Sequence, residues 1–261
     1  RGSVELRPYS GKLSTLYSSR GNWKCVVIVI KRLDMKTNYN WIIICGLLLF
    51  FTACKQNKQT EPENESSKWV QLFNGKDLDG WTVKIKGRPL GENYHNTFRA
   101  ENGVMVVNYD SYSKFENAFG HIYYKAPYSD YKFRMEYRFL GDQIEDGPAW
   151  AFKNSGVMIH CQDPTSIGLN QNFPVSIEVQ LLGGDGIEDR PTANVCTPGT
   201  HIEMDGQLIK YHSIRSNSIT FHYEQCITIE IEVNNESLVV NNVNGVEFRR
   251  YSKLKICGDI Y

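Results

Sequence analysis

The chain has 261 residues, which allows one large domain or two small ones. Its 29 Lys and Arg residues balance 29 Asp and Glu residues, so no net field favours nucleic acid or an anionic membrane surface as a partner. Aromatic residues make up 12% of the chain and include 15 tyrosines. This composition favours a β-rich protein, and it supplies rings that can stack against sugars.

The N-terminal region has the features of an exported lipoprotein. Residues 1–34 lack an initiating methionine and any coherent hydrophobic period, so we interpret them as an upstream, non-native segment. Residues 35–53 contain a lysine after Met35, an apolar run over 41–51 and small residues next to Cys54, which is typical of a signal peptide. The apolar run is shorter than the roughly 20 residues that a membrane-spanning helix needs.

Cys54 is the predicted lipidated first residue of the mature chain. Residues 54–68 are polar and contain no large apolar side chain, so we expect them to form a flexible tether. Lys55 stands where an inner-membrane lipoprotein of the enteric type would carry aspartate, which favours the outer membrane. We therefore expect a protein anchored by lipid in the bacterial cell envelope, on the periplasmic or the surface face of the outer membrane.

Residues 69–261 are predicted to form one all-β domain. Short segments alternate between apolar and polar residues, and Gly, Asn, Asp or Pro bounds each of them. Residues 131–139 show this best, because aromatic residues and Met135 alternate with lysine, arginine and glutamate. Many short strands without a 3.6-residue period indicate a β-sandwich or a barrel.

The cysteines of this domain do not indicate a metal or redox motif. No two of them form a CxxC pair, so neither a zinc knuckle nor a thioredoxin-type motif is supported. They allow three disulfide pairings, between which the sequence does not choose. The four residues are Cys161, Cys196, Cys226 and Cys257.

Two neighbouring segments, 154–160 and 175–181, carry polar residues opposite an apolar face. If both strands belong to one sheet, a carboxylate, an amide and an imidazole converge on a polar site. A solvated outer face is the alternative interpretation. The residues predicted to share the polar face are Gly156, Met158 and His160 on the first strand and Ser176, Glu178 and Gln180 on the second.

Three motifs in this order resemble those of the 3-keto-disaccharide hydrolase family. They are residues 72–81 (LFNGKDLDGW), 154–160 (NSGVMIH) and 176–182 (SIEVQLL). The resemblance covers residues 69–261. It implies a concanavalin A-like jelly roll, a β-sandwich of two antiparallel sheets with a concave face, and the strand pattern agrees with this fold.

The sequence departs from the family pattern at two points. His160 stands where many members carry arginine. A further strand usually follows the position near Ile256, whereas this chain ends at Tyr261, so we expect the last strand to be truncated.

The resemblance implies a substrate whose sugar has already been oxidised at C3. A 3-ketone makes the C2 proton acidic, so one general base can remove it, and the C1–O bond then breaks by elimination. Glu178 suits this chemistry, because Gln180 stands where a conventional glycosidase needs a second carboxylate. Glu230 and Glu232 have the spacing of such a pair, but we interpret them as the outer face of an ordinary strand.

On this hypothesis Glu178 is the general base or a metal ligand, and His160 is the acid or an enolate stabiliser. Residues 194–201 are predicted to form a loop over the site, with His201 as a second catalytic imidazole. A divalent metal held by Glu178, His160 and His201 is left open as a cofactor. The residues predicted to bind the substrate are Asn154, Ser176, Met158, Gln180, His95, Tyr109 and Trp150.

Three other functions are left open by the sequence. A lectin-like carbohydrate-binding module would keep the aromatic residues and tolerate loss of Glu178. A conventional β-glycanase would need a second carboxylate facing Glu178, and a structural lipoprotein would show no convergent polar groups. The keto-sugar chemistry also implies a functional partner, a sugar 3-dehydrogenase that supplies the 3-keto-glycoside.

Overall fold

The computed structural model of the protein describes residues 3–6, 28–32 and 69–256. The predicted signal peptide, Cys54 and the tether lie outside the described residues, as does most of the segment 1–34. Within the described ranges, no helix is long and apolar enough to cross a membrane. The helical elements there are three-residue 3-10 turns at Tyr94–Asn96, Ala149–Ala151 and Pro164–Ser166.

The described chain is all-β, as predicted. Its strands, in chain order, are β1 (Ser3–Leu6), β2 (Ile28–Arg32), β3 (Val70–Gln71), β4 (Trp81–Ile85), β5 (Phe98–Glu101), β6 (Val104–Asn108), β7 (Gly120–Tyr124), β8 (Asp130–Leu140), β9 (Asn154–Ile159), β10 (Ile177–Leu182), β11 (Asn194–Cys196), β12 (Thr200–Met204), β13 (Gln207–Ile209), β14 (Ser213–Ile214), β15 (Ile227–Asn234), β16 (Leu238–Val243) and β17 (Val246–Ile256).

The strands form a sandwich of antiparallel sheets. The larger sheet has the order β13-β12-β17-β16-β15-β8-β1-β6-β5, and β2 also pairs with β8 and carries β3. The smaller sheet has the order β14-β11-β10-β9, and β4 and β7 pair as a separate ribbon. This architecture confirms the predicted jelly roll. β1 and β2 come from the segment interpreted as upstream sequence, and that interpretation stays a prediction.

The core lies between the two sheets because strands of both present alternate apolar residues inward. On β8, Met135, Tyr137 and Phe139 are buried, as the sequence predicts. They pack in one cluster with Ile177 and Val179 of β10. The opposite face of the smaller sheet is thereby directed away from the core, and its polar residues are free to form a site.

The outer face of the larger sheet is an ordinary ion-paired surface. Glu230 accepts hydrogen bonds from Nε and a terminal nitrogen of Arg134 at 2.9 and 2.6 Å. Glu232 lies 2.8 Å from the Lys132 ammonium group on the same neighbouring strand. The prediction that Glu230 and Glu232 belong to the outer face of a strand is therefore confirmed.

Candidate functional site

The polar face of the smaller sheet borders a cleft that extends past the edge of the core, where Met135 and Phe139 also line it. The whole space has a volume of about 1160 Å³. β9 and β10 pair directly, as the sequence hypothesis required, and β11 continues this face, the floor of the cleft. The strand β7 contributes to the wall. The cleft-lining residues on these strands include Gly156, Met158, Glu178, Gln180 and Cys196 on the floor, and His121 and Tyr123 on β7.

Glu178 lies directly over the backbone of Gly156. A Cβ atom built at residue 156 would be 2.5 Å from Cγ of Glu178 and closer still to Oε1. Real Cβ atoms do not approach other heavy atoms so closely, so the position accepts only glycine while Glu178 keeps its place. The glycine of the NSG motif is thus explained by the carboxylate of the next strand.

The surroundings of Glu178 favour its protonated form more than water does. Burial raises the pKa of the Glu178 carboxyl to about 7, and a hydrogen bond with the Cys196 thiol opposes this effect in part. Cys196 is the residue paired with Glu178 across β10 and β11. Burial and the neighbouring carboxylate raise the pKa of Cys196 to about 12, so the thiol stays protonated. A carboxylate with a pKa near neutrality is well suited to general base catalysis.

This pKa makes the stability of the protein depend on pH. Because the pKa of Glu178 in the folded protein lies above the ordinary value of 4.5, the folded protein binds more protons than the unfolded chain between about pH 4.5 and 7. The free energy of unfolding therefore falls as pH rises through this window. We expect Glu178→Gln to be more stable than the wild type at pH 8, by up to about 3 kcal/mol, and nearly equal to it at pH 4. Urea unfolding of both proteins at the two pH values measures this, and an equal difference at both would contradict it.

Gln180 is held in one orientation by Asn194. The Oε1 atom of Gln180 accepts a hydrogen bond of 3.0 Å from Nδ2 of Asn194. Asn194 is itself fixed, because Nδ2 also donates to the Pro191 carbonyl and Oδ1 accepts from the backbone of Ser216. The amide nitrogen of Gln180 is consequently left to donate hydrogen bonds into the cleft.

His160 lines the cleft but does not continue the strand. It follows the end of β9 with a φ of 48°, which ends the alternation of faces that the sequence pattern predicts. Burial lowers the pKa of its imidazole, and the charge of Glu236 partly offsets this. The uncharged imidazole therefore predominates at neutral pH, which favours a hydrogen-bonding role over that of a general acid.

An aromatic cluster borders the cleft. The rings of Phe119 and Trp150 stack with centroids 5.7 Å apart, and Phe173 packs on Phe119 at 4.9 Å. The side chain of Trp150 is 55% exposed. The side chain of Asn154 stabilises the turn that contains Trp150 by donating a 3.0 Å hydrogen bond to the Trp150 carbonyl. Tyr109 also lines the cleft. An exposed ring beside convergent polar groups is a common arrangement for sugar binding.

A family model described as a 3-keto-alpha-glucoside-1,2-lyase-like domain matches residues 68–257, which is most of the chain. The chain belongs to this family. The resemblance inferred from three sequence motifs is thereby confirmed. The description of the family supports a carbohydrate-active lyase or hydrolase in general. No curated protein and no solved structure matches the chain.

The structure of this lyase-like domain does not bring every predicted residue to the cleft. The side chain of Ser176 is fully buried, and its hydroxyl lies within hydrogen-bond distance of two acceptors, the Pro174 carbonyl and Met158 Sδ. His95 is exposed on a 3-10 turn, where its ring packs against Tyr94. Neither residue is among those lining the cleft.

The prediction of a loop at 194–201 is wrong. Asn194–Cys196 is β11, on the floor of the cleft, whereas Thr200–Met204 is β12 in the larger sheet. The chain crosses from one layer to the other between them, so His201 is not among the residues lining the cleft. The reason is burial, since the whole stretch 191–197 is enclosed and strand pairing satisfies its backbone.

The predicted metal ligands are not assembled in the lyase-like domain. Glu178 and His160 line the cleft, and His201 does not. Among the described residues, no group of three His, Cys, Asp or Glu side chains is arranged to hold a metal ion.

Sequence reasoning missed His121 and Cys196. Both line the cleft, and each follows or precedes a residue of the core, Val195 for Cys196 and Ile122 for His121. For His121 the signal is the alternation of β7, where Ile122 and Tyr124 pack on the core cluster. Cys161 and Cys196 are free thiols, so the cleft contains no disulfide between them.

Proposed function

We propose that this protein cleaves the glycosidic bond of a 3-keto-glycoside by abstracting the C2 proton and eliminating the group attached to C1. The observation that supports this most strongly is Glu178, a single carboxylate on the cleft floor whose pKa is about 7. The other carboxylates bordering the cleft, Asp142 and Asp163, are exposed, and Asp163 caps a 3-10 turn through Thr165. Among the described residues of the cleft, Glu178 is thus the carboxylate that is not exposed, which favours a single base over a conventional pair.

One general base is sufficient to account for every proton and electron pair in the reaction. Glu178 removes the proton from C2, and the electron pair of the C2–H bond forms an enediolate with the C3 ketone. Collapse of the enediolate restores the ketone, forms a C1–C2 double bond and breaks the bond from C1 to the leaving oxygen. The proton on Glu178 passes to the leaving oxygen, directly or through water. Addition of water across the C1–C2 bond then gives the free 3-keto sugar.

The neighbours of Glu178 supply hydrogen bonds to the reacting sugar. The amide of Gln180 can donate to a substrate oxygen next to C2, because Asn194 holds its carbonyl side. His160 lines the same cleft and is assigned to the leaving oxygen. Hydrogen bonds that are fixed before the reaction stabilise developing charge without reorganisation, which is a large term in enzyme catalysis.

A pair of substrates tests the proposal. A nitrophenyl 3-keto-glucoside and the unoxidised glucoside are incubated with the full protein, with and without a divalent metal. Release of the phenol from the keto substrate alone supports elimination. Cleavage of the plain glucoside would instead show a conventional glycosidase, and binding of both sugars without cleavage would show a lectin-like module.

Trp150 is proposed to bind the substrate rather than take part in the chemistry. We expect Trp150→Ala to raise KM for the keto-glycoside about three- to tenfold with a smaller change in kcat, because the lost contact is mainly a stacking interaction. Steady-state kinetics measure both constants. Tyr223→Ala is the control, since Tyr223 is 72% exposed and does not line the cleft. Unchanged KM in the Trp150 variant would contradict this role.

The cellular setting is proposed from the sequence. We infer that the protein is carried on a lipidated Cys54 in the bacterial cell envelope. The chemistry requires a partner reaction, oxidation of the glycoside at C3 by a sugar dehydrogenase. Metabolic labelling with a palmitate analogue, with Cys54→Ser as the control, tests the anchor.

A further inference from the structure

Lys84 is a buried cation next to the cleft. Its side chain is 3% exposed, and Nζ donates to the carbonyl oxygens of Ile85, Arg88 and Leu169 at 3.0, 2.9 and 3.2 Å. An ammonium group has three donors, so all of them are used. In the described part of the chain it has no carboxylate partner, and its positive charge is therefore not neutralised.

Lys84 stands directly opposite His121. The two residues are a pair in the register of β4 and β7. Ile122 and Tyr124 pack on the core cluster, and by alternation His121 and Tyr123 lie on the other face of the ribbon, the face of Lys84. All four of these β7 residues border the cleft. The ring of Phe173 lies edge-on to the imidazole of His121, with the ring centroids 6.0 Å apart.

His121 is partly buried and lies opposite a positively charged residue. The titratable groups around it are Lys84 on β4, Tyr123 on its own strand, and, lining the same cleft, Glu178 on β10 with His160 and Cys161 after β9. Burial lowers the pKa of His121 most, and the charge of Lys84 lowers it further, to about 4. The uncharged imidazole is therefore the form that faces the cleft at neutral pH.

We propose that His121 is a further catalytic residue, which donates a hydrogen bond to the C3 oxygen of the keto sugar as an uncharged imidazole, and that Lys84 is the positioning residue that keeps it uncharged. This assignment rests on the proposed function. A neutral imidazole N–H can polarise a carbonyl and stabilise the enediolate while keeping its own proton. An imidazolium in the same place would transfer its proton to the enediolate.

Lys84 also fixes the loop that packs on His121. Its bond to the Leu169 carbonyl is reinforced by the backbone nitrogen of Gly87, which donates to the same oxygen at 2.7 Å. Leu169 belongs to the segment that continues to Phe173, the residue against the imidazole. One buried ammonium group thus sets both the charge and the packing around His121.

Histidine NMR of the full protein tests the inference without substrate. With ¹⁵N-labelled histidine and His121→Gln for assignment, we expect the wild-type His121 signals to show an uncharged imidazole from pH 5.5 to 8. In Lys84→Met the pKa of His121 should rise by about one unit, because the neighbouring charge is lost. Lys84→Arg keeps the charge and should leave His121 uncharged. A wild-type His121 that titrates near its ordinary pKa of about 6.5 would overturn the proposal, and this result does not depend on the Lys84 variants. An unchanged pKa of His121 in folded Lys84→Met would also overturn it.

Kinetics test the role in the reaction. We expect His121→Phe to lower kcat for the 3-keto-glucoside about a hundred- to a thousandfold with little change in KM, and His121→Gln, which keeps an N–H donor, to recover part of the loss. Wild-type kcat in His121→Phe would overturn the catalytic assignment. Absence of turnover in the wild type would refute the proposed function and with it this role, while the titration would still decide whether Lys84 controls the charge of His121.

Discussion

Replacing Glu178 by Gln is expected to lower kcat for the 3-keto-glycoside by about 10²- to 10⁴-fold, the contribution typical of a general base. The substitution keeps the size of the side chain and removes the atom that accepts the proton. Binding of the keto sugar should change little, because the remaining floor of the cleft is unaltered. Stopped-flow or steady-state kinetics together with calorimetric titration measure both quantities.

The pH dependence of kcat/KM in the wild type also tests the role of Glu178 as the general base. Because Glu178 must be ionised to accept the C2 proton and its pKa is about 7, kcat/KM should rise with pH and level off above about that value. Glu230→Gln is the matched control, since Glu230 is paired with Arg134 on the outer face of the larger sheet. Equal loss of turnover in both variants, or full activity in Glu178→Gln, would contradict the role of Glu178.

Replacing Gly156 by Ala is expected to remove most of the activity although residue 156 carries no chemical group. The new Cβ atom would lie within 2.7 Å of the Glu178 carboxyl carbon, so the carboxylate must move. A displacement of about 1 Å at a reacting group costs on the order of a hundredfold in rate. Overpacking of this kind also destabilises a protein by about 1–3 kcal/mol, which thermal unfolding would detect.

Gly168→Ala provides the control for that experiment. A Cβ atom at residue 168 would meet only the side chain of Gln171, at the ordinary contact distance of 3.7 Å. Its kinetics and its melting temperature should match those of the wild type. If Gly156→Ala retained wild-type kcat, the placement of Glu178 over Gly156 would not be needed for the reaction.

The fold could be predicted from the sequence because apolar and polar residues alternate within individual strands, and this pattern can be read without knowing which strands pair. β8, β10 and β15 have apolar residues at every second position, and turn residues separate them from their neighbours. Alternation assigns each side chain to one face of its own strand. For β9 and β10, which are neighbours in the sheet, this was enough to bring Gly156, Glu178 and Gln180 together.

The rest of the site depends on contacts that alternation does not contain. His201 was expected beside Glu178, but the chain changes sheets just before it. The reason for glycine at position 156 is visible only when the carboxylate of the next strand is placed above it. The burial of Lys84 depends in part on the carbonyl of Leu169, which lies far along the chain. The positions of these polar residues therefore depend on contacts between distant parts of the chain, which local sequence patterns do not show.

The central claim is that the C2–H bond breaks, and the most direct test is to run the reaction in D₂O with a 3-keto-glucoside that carries ordinary hydrogen at C2. We predict that every released sugar has lost that hydrogen, either as the 1,2-unsaturated keto sugar or as the hydrated sugar with deuterium at C2. NMR and mass spectrometry of the product measure this, and the 3-keto sugar kept in D₂O without enzyme corrects for spontaneous exchange. Retention of hydrogen at C2 in the released sugar would show direct displacement at C1 and would contradict the elimination.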